Sequence, residues 1–365
     1  MGTVPMSIHE ATASYERWLA RQTRVVPGDL HLKHQKMAAD PFTFLRGTFY
    51  RWLQAWPVAC EALLDAPRIT AIGDLHVENF GTWRDEEGRL VWGVNDLDES
   101  CALPYVHDLV RLATSALLAL RDRQLDTSMA EACAAILEGY GESLGLGGRP
   151  VVLAERHRWL RLVAIEELRD PVEFWEKLSA LPVARSSAAR AVLRHSLPRG
   201  VKTFTVARRV AGVGSLGRER YIGVGRLGGS IVAREVKALA PSAAAWIAGR
   251  SGGPVNPLPR FAGAVRVRDP FLRVRGRWLV RRLAPDCIKI DITHLPHRRD
   301  DRKLLRSMGW ETANLHQQRG AGTAIARDLA ARPAGWLMAA AEAMRDLALA
   351  DWDEWRGGPG RLRPH

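Results

Sequence analysis

The chain has 365 residues, 47% of them hydrophobic, enough to bury the core of one large two-lobed domain or of two ordinary ones. No run of eighteen apolar residues occurs, and residues 1–24 mix charges with single aromatics. Both features point away from a membrane span and lead us to expect a cytoplasmic protein. The formal charge of +13, with a pI near 10.2, favours an anionic partner: a nucleotide, a phosphorylated metabolite, an acidic protein or nucleic acid. Arginine is spread along the whole chain, so a solvated basic surface accounts for the balance equally well. Cys60, Cys101, Cys133 and Cys287 lie far apart with no CxxC pair, which suits neither a zinc site nor a disulfide framework.

In chain order, residues 1–60 read as helical, with Tyr15, Trp18 and Leu19 and then Phe49, Trp52 and Leu53 recurring at three- and four-residue intervals. Extended runs at 68–72 and 89–94, flanking the turn signal at 85–88, predict a small hairpin. From Val106 the apolar positions fall on one helical face, and a second helix fits 129–140, ended by the glycines of 145–150. Helical composition returns over 153–178. Between 202 and 239 three extended segments, 203–207, 220–224 and 231–236, predict a meander, and another extended stretch lies near 278–283. Helices are expected at 302–318 and 336–355, and a disordered tail at 357–365.

Two constellations carry chemistry. The segment Ile72-Gly-Asp-Leu-His-Val-Glu-Asn-Phe80 puts Asp74 at a strand end and Asn79 five residues on; a second strand ends in Asn95-Asp-Leu-Asp98. Phosphoryl transfer needs one carboxylate to orient an acceptor hydroxyl, and an amide oxygen and a carboxylate to hold magnesium, so Asp74, Asn79 and Asp96 fit that division of labour. An oxygen-only set without clustered cysteine or histidine favours magnesium over zinc. Taken singly, each is equally a strand-end turn residue. Gly-Asp-Leu-His also offers the Asp-x-His pair of a metallophosphoesterase, but the further histidines of that class are missing. His76 and His107 read as hydrogen-bonded structural histidines.

The stretch resembles the catalytic loop and metal segment of the protein kinase-like superfamily, in particular its aminoglycoside and choline phosphotransferases. Gly73-Asp-Leu-His-Val-Glu-Asn79 is similar to the family's loop, Asn95-Asp-Leu-Asp98 to its metal segment, and Tyr105-Val-His-Asp108-Leu to the helix that follows. The resemblance implies Asp74 as catalytic aspartate, Asn79 and Asp96 as metal ligands, Asp98 as a metal helper or cap, and Asp108 as an anchor of the loop.

The second constellation is Gly212-Val-Gly-Ser-Leu-Gly217, between two strands of the meander, with Lys237 near the end of the third. Glycines let backbone amides approach phosphates, and a strand-borne lysine can pair with them, so Gly212, Gly214, Ser215, Gly217 and Lys237 are the nucleotide-binding candidates. The extended run after the loop argues against a dinucleotide fold, which needs a helix there. Plain hairpin turns with a surface lysine are the competing reading. In a kinase this sheet precedes the catalytic aspartate; here it follows, which implies circular permutation. Ala313-Asn-Leu-His316 resembles the helix that normally precedes the catalytic loop. From about Lys33 to about Trp355 the chain resembles an uncharacterised bacterial family, domain of unknown function 2252, with Asp40-Pro-Phe-Thr-Phe-Leu-Arg46-Gly47 as its leading motif. A departure is that kinases pair the strand lysine with a helix glutamate, and residues 238–310 contain none. Arg46 and Arg281 are further phosphate candidates, although surface pairing serves each as well.

The expectation is therefore an α+β, kinase-like two-lobed fold, circularly permuted. Residues 1–195 form a helical lobe, 196–295 a strand-rich nucleotide lobe and 296–356 the helices that complete the first. ATP and Mg2+ are the expected cofactors, and the acceptor is a hydroxyl on a small molecule, peptide or protein. The rivals are an inactive nucleotide-binding regulator, a metallophosphoesterase and a basic nucleic-acid-binding protein; no recognition motif or concentrated basic stripe supports the last.

Overall fold

The computed structural model describes residues 6–120, 128–253, 255–290, 292, 295, 300–318 and 320–358. It is a mixed α+β protein with thirteen α-helices and three small antiparallel sheets among these residues. Helices α1 (Ile8–Gln22), α2 (Pro27–Ala39), α3 (Pro41–Gly47) and α4 (Phe49–Ala59) come first. Ser7 and Glu10 close a reciprocal capping box on α1, and Asp40 caps α3 with Pro41 in its first turn, so the Asp-Pro-Phe motif is a helix start.

Strand β1 (Arg68–Ala71) is followed by β2 (Phe80–Arg84), β3 (Leu90–Val94), β4 (Cys101–Pro104), α5 (Tyr105–Leu120), α6 (Met129–Gly145) and β5 (Val151–Val152). The hairpin expected between 68–72 and 89–94 does not form. Strand β1 pairs with β4, from Arg68 opposite Pro104 to Ala71 opposite Cys101, while β3 pairs with β2, a strand the sequence reading left out. The turn at 85–88 is the correct hairpin turn, closed by Asp85, which accepts from the N–H groups of Glu87 and Arg89.

Helices α7 (Arg158–Glu166), α8 (Pro171–Ser179) and α9 (Ser187–Ser196) lead to β6 (Phe204–Arg208), β7 (Arg220–Leu227) and β8 (Ser230–Ala238). These three strands form the expected meander. After α10 (Ala243–Ile247), strands β9 (Arg273–Arg275) and β10 (Trp278–Leu283) extend it to five strands in the order β6-β7-β8-β10-β9. Helix α9 buries Ala189, Leu193 and Leu197 against Phe204, Val206, Val236 and Val280 on one face. Helix α8 buries Phe174 and Leu178 against Ala207, Ile222, Ala233 and Leu283 on the other. Residues 171–197 thus pack with the sheet, and the boundary expected at 195 moves upstream of α8.

Helices α11 (Asp300–His316), α12 (Ala321–Ala331) and α13 (Trp336–Gly357) close the chain. Leu304, Leu305, Met308 and Leu315 of α11 join Ala132, Ile136 and Tyr140 of α6 and the apolar face of α5 in the main core. Helix α12 was not anticipated. The tail expected at 357–365 lies outside the described residues from 359 onward.

Candidate active site

Strand β1 ends in Ile72-Gly73-Asp74, where Gly73 turns the chain at φ 84°, a conformation open to glycine at no steric cost. The turn is held from below. Asp108, in the first turn of α5 and fully buried, accepts from the N–H of Ile72 at 2.6 Å and of Gly73 at 3.0 Å. Its carboxylate also meets His316 Nε2 at 3.0 Å, and His316 Nδ1 meets the Tyr140 hydroxyl at 2.9 Å. Burial opposes the charge on Asp108, but His107 and His316 outweigh it and hold the carboxyl well below the usual range. His107 accepts from the Trp52 indole at 2.9 Å and is a core histidine, as expected. His76 differs: its Nδ1 is buried without a hydrogen bond, and burial, with Arg46 and Lys289 nearby, keeps the ring neutral.

Asp74 projects from this turn. Its Oδ1 accepts from Arg111 Nε at 3.0 Å and from the adjacent Nη2. Arg111 is completely buried, its guanidinium 5.0 Å from the ring centre of Phe49 and 4.8 Å from that of Trp52, with a further bond to the Leu45 carbonyl. One Asp74 oxygen is therefore committed to a fixed cation and Oδ2 is left for the cleft. The sequence reading missed Arg111; its signal was a lone arginine on the apolar face of α5, three residues after Asp108.

Asn79 ties the loop to the Asn95-Asp-Leu-Asp98 segment. Its Nδ2 donates to the carbonyls of Asp74 and Asp96, each at 3.1 Å, and its Oδ1 accepts from the Asp96 N–H at 3.0 Å. Across the cleft, Lys237 of β8 places Nζ 2.6 Å from Asp98 Oδ2 and 3.1 Å from Asp96 Oδ2. The lysine that lacks a helix glutamate thus rests on both acids of the Asn95-Asp-Leu-Asp98 segment. Asp96 is held well below the usual carboxylate range: its partial enclosure resists the charge, but Lys237, Arg281 and Arg218 prevail. Asp98 is nearly buried, with Arg218 at 3.6 Å.

Asp74, Asn79, Asp96 and Asp98 line one cavity with Gly212, Gly214 and Ser215 of the glycine-rich loop, and with Arg46, His76, Glu99, Arg218 and Lys289. Gly217 stands apart, its carbonyl accepting from the Val26 N–H at 2.8 Å. The loop is pressed onto the turn that carries Asp74. A methyl group placed on Gly214 would sit 3.4 Å from Asp74 Oδ2 and 3.1 Å from the Arg46 carbonyl. The cavity is accordingly about 60 Å³, room for a few waters, against roughly 300–1,000 Å³ for ordinary ligand pockets. Arg46 pairs with Glu78 at 2.8 Å. Lys289, not singled out in the sequence, follows β10 where the chain returns to β2, and confinement beside Arg46 lowers its pKa to about 8.

Glu235 shares the cleft-facing side of β8 with Lys237 but has its own partners: Arg220 and Arg281 at 2.7 Å, and Arg209. It is fully buried and, against the burial cost, these arginines hold it well below the carboxylate range. Arg281 is therefore a partner of Glu235. Beyond Glu235 the same face is covered by α8.

The oxygens able to receive a hard cation are those of Asp96, whose side chain is 44% exposed, the buried Oδ1 of Asp98, which has no hydrogen-bond partner, and the second lone pair of Asn79 Oδ1. Among the described residues no group of three or more histidine, cysteine, aspartate or glutamate side chains is placed to hold a metal, and no helix is long and apolar enough to cross a membrane. Residues 24–157 match the model of a family described as an uncharacterized protein conserved in bacteria (DUF2252). That stretch spans α2 to the start of α7 and contains Asp74, Asn79, Asp96 and Arg111. No curated protein and no solved structure matches the chain significantly.

Proposed function

We propose that the chain is an ATP- and magnesium-dependent phosphotransferase of circularly permuted protein kinase-like type, acting on a hydroxyl of its acceptor. The observation that carries this reading is the convergence on one cleft of a glycine-rich loop, a strand lysine, the Asp96–Asp98 pair and Asp74, drawn from segments more than a hundred residues apart. The donor set fits magnesium: Asp96, with Asn79 Oδ1 and Asp98, would hold it. When bound, ATP and magnesium supply the phosphoryl group and neutralise its charge. Asp74 takes the acceptor's proton on Oδ2, while Arg111 fixes the carboxylate through Oδ1. Lys237, here shared by two aspartates, and the loop amides at 212–215 are the groups that would hold the phosphate oxygens.

A second reading, a nucleotide-binding regulator without transfer activity, is favoured by one specific observation. The loop rests on Asp74 in a 60 Å³ cavity, and α8 covers the neighbouring sheet face. Two assays on one preparation separate the readings. ATP with magnesium should raise the melting temperature, by an amount equivalent to roughly 2.7 kcal/mol at a hundredfold excess over Kd. Labelled ATP should pass its phosphate to an acceptor in a metabolite and protein extract. Asp74→Ala should keep nucleotide affinity and lose about a hundredfold or more in transfer. Full transfer by a folded Asp74→Ala protein would refute the catalytic assignment, and binding without any transfer by the wild type would favour the regulator.

A further inference from the structure

A concavity larger than the cleft lies elsewhere among the described residues. A cavity of about 670 Å³ opens between α4, β4, α10 and the segment after it, within the range of roughly 300–1,000 Å³ usual for small-molecule sites. Trp56, Leu103 and Ile247 form apolar wall, and Arg68, Arg250 and Arg260 stand around it. A second concavity of about 450 Å³ shares Arg68 and Arg260, so these two arginines lie between the two spaces.

The charge is unusual for this molecule. Arginines elsewhere are widely paired with acids, as at Arg51 with Asp351, Arg84 with Asp286 and Arg332 with Asp328. Among the described residues, Arg68, Arg250 and Arg260 form no ion pair. Arg68 donates one bond to the Ala102 carbonyl and Arg260 one to that of Ser100, which fixes two of the guanidinium groups and leaves most of their donors free. The acid bordering the cavity is Asp98, already taken by Lys237. Three guanidinium groups without an ion pair beside an apolar wall select an anion with two or more acceptor oxygens attached to a hydrophobic body.

We propose that this pocket binds a small amphipathic anion, a carboxylate or phosphate head on an apolar body. It stands apart from the phosphotransferase reading, since none of the three arginines borders the catalytic cleft. Asp98 borders both spaces, so an occupant lies against the back of the segment that carries Asp96.

The test is calorimetry on the full chain with decanoate and decyl phosphate below their micellar concentrations, and with inorganic phosphate and decanol as controls. At least one charged amphiphile should bind saturably, and both controls about tenfold or more weaker, the scale of losing either a charge-assisted contact or an apolar contact surface. Which amphiphile binds better identifies the head group. Arg68→Ala combined with Arg250→Ala should weaken binding about tenfold or more; both side chains are exposed, so the fold survives. Ile247→Asp should weaken it through the apolar wall. Lys289→Ala, in the cleft, should leave the affinity unchanged. Equal binding of decanol, equal binding of inorganic phosphate, or sensitivity to Lys289 with indifference to the two arginines would each overturn the proposal.

Discussion

Two ionic clusters hang from the same face of β8, two residues apart, and they are charge inverses. Glu235 is one acid gripped by three arginines; Lys237 is one base gripped by two aspartates. The acid at the centre of the first is sealed, with Glu235 at 0% exposure, whereas Asp96 in the second keeps 44% of its side chain open to the cleft. A sealed cluster has paid its desolvation during folding and has no freedom to change partners. An open one can exchange its lysine for another cation or its carboxylate for a phosphate without exposing an orphan charge. The comparison separates polar groups that hold the fold from those that are available for chemistry.

The largest expected effect is at the sealed cluster. Glu235→Ala strands Arg220 and its two neighbours, and unfolding in denaturant should show a loss of about 3–5 kcal/mol, the scale of breaking a buried pair from one side; a loss under about 1 kcal/mol would show that the cluster is not sealed in solution. Asp108→Asn comes next at about 2–3 kcal/mol, because two backbone N–H groups and His316 lose a charged acceptor. Both carboxyls are depressed in the folded state. Their stabilisation is therefore complete above the unfolded values of 4.5 and 3.8 and drains away as pH falls below them, so wild type should weaken steeply in acid and Asp108→Asn less so.

Glu311 sharpens the contrast from the opposite side. It is buried on α11 with Asn314 at 3.0 Å and Arg266 no nearer than 3.8 Å, and burial pushes its carboxyl up to about 7. A raised carboxyl favours the folded state below its unfolded value of 4.5, and that contribution is lost as pH rises through about 7. Melting curves of wild type should show a decline of about 1–2 kcal/mol between pH 5 and 8 that Glu311→Gln flattens; identical profiles would remove the assignment. The smallest stability effect belongs to the open cluster. Asp96→Asn leaves Lys237 its Asp98 partner at 2.6 Å, so stability should move by less than about 1 kcal/mol, while the melting shift with ATP and magnesium should shrink markedly. A large stability loss with an unchanged nucleotide shift would make Asp96 part of the framework.

The same division explains what the sequence disclosed. Asp74, Asn79 and Asp96 sit in short local motifs in a fixed order, so they were legible as a set without knowing the fold. Arg111 and Lys289 were not, because one arginine on an apolar helix face and one lysine in a basic chain carry no local pattern. The meander was read from extended segments separated by glycines, and 278–283 was read as extended, but that β10 would join β8 in the same sheet was not read. The pairing of β1 with β4 was not, since registers between separated strands depend on the whole chain. Helix α8 shows the limit most clearly: Phe174 and Leu178 declare an apolar stripe, but nothing in residues 171–179 says that it will lie on the cleft-facing side of a sheet made later in the chain.

The Asp108–His316 contact also sets a timetable. The acid that pins the turn before Asp74 is made 208 residues before its histidine partner. At about 5–20 residues per second, a ribosome needs roughly ten to forty seconds to span that gap. Throughout this interval the segment carrying Asp74, Asn79 and Asp96 lacks His316 to complete α11, and until β8 is made it lacks Lys237 as well, so the apolar faces of α5 and α6 that α11 covers are bare. This long-range closure should make refolding of the whole chain slow relative to that of a helical protein built from local contacts.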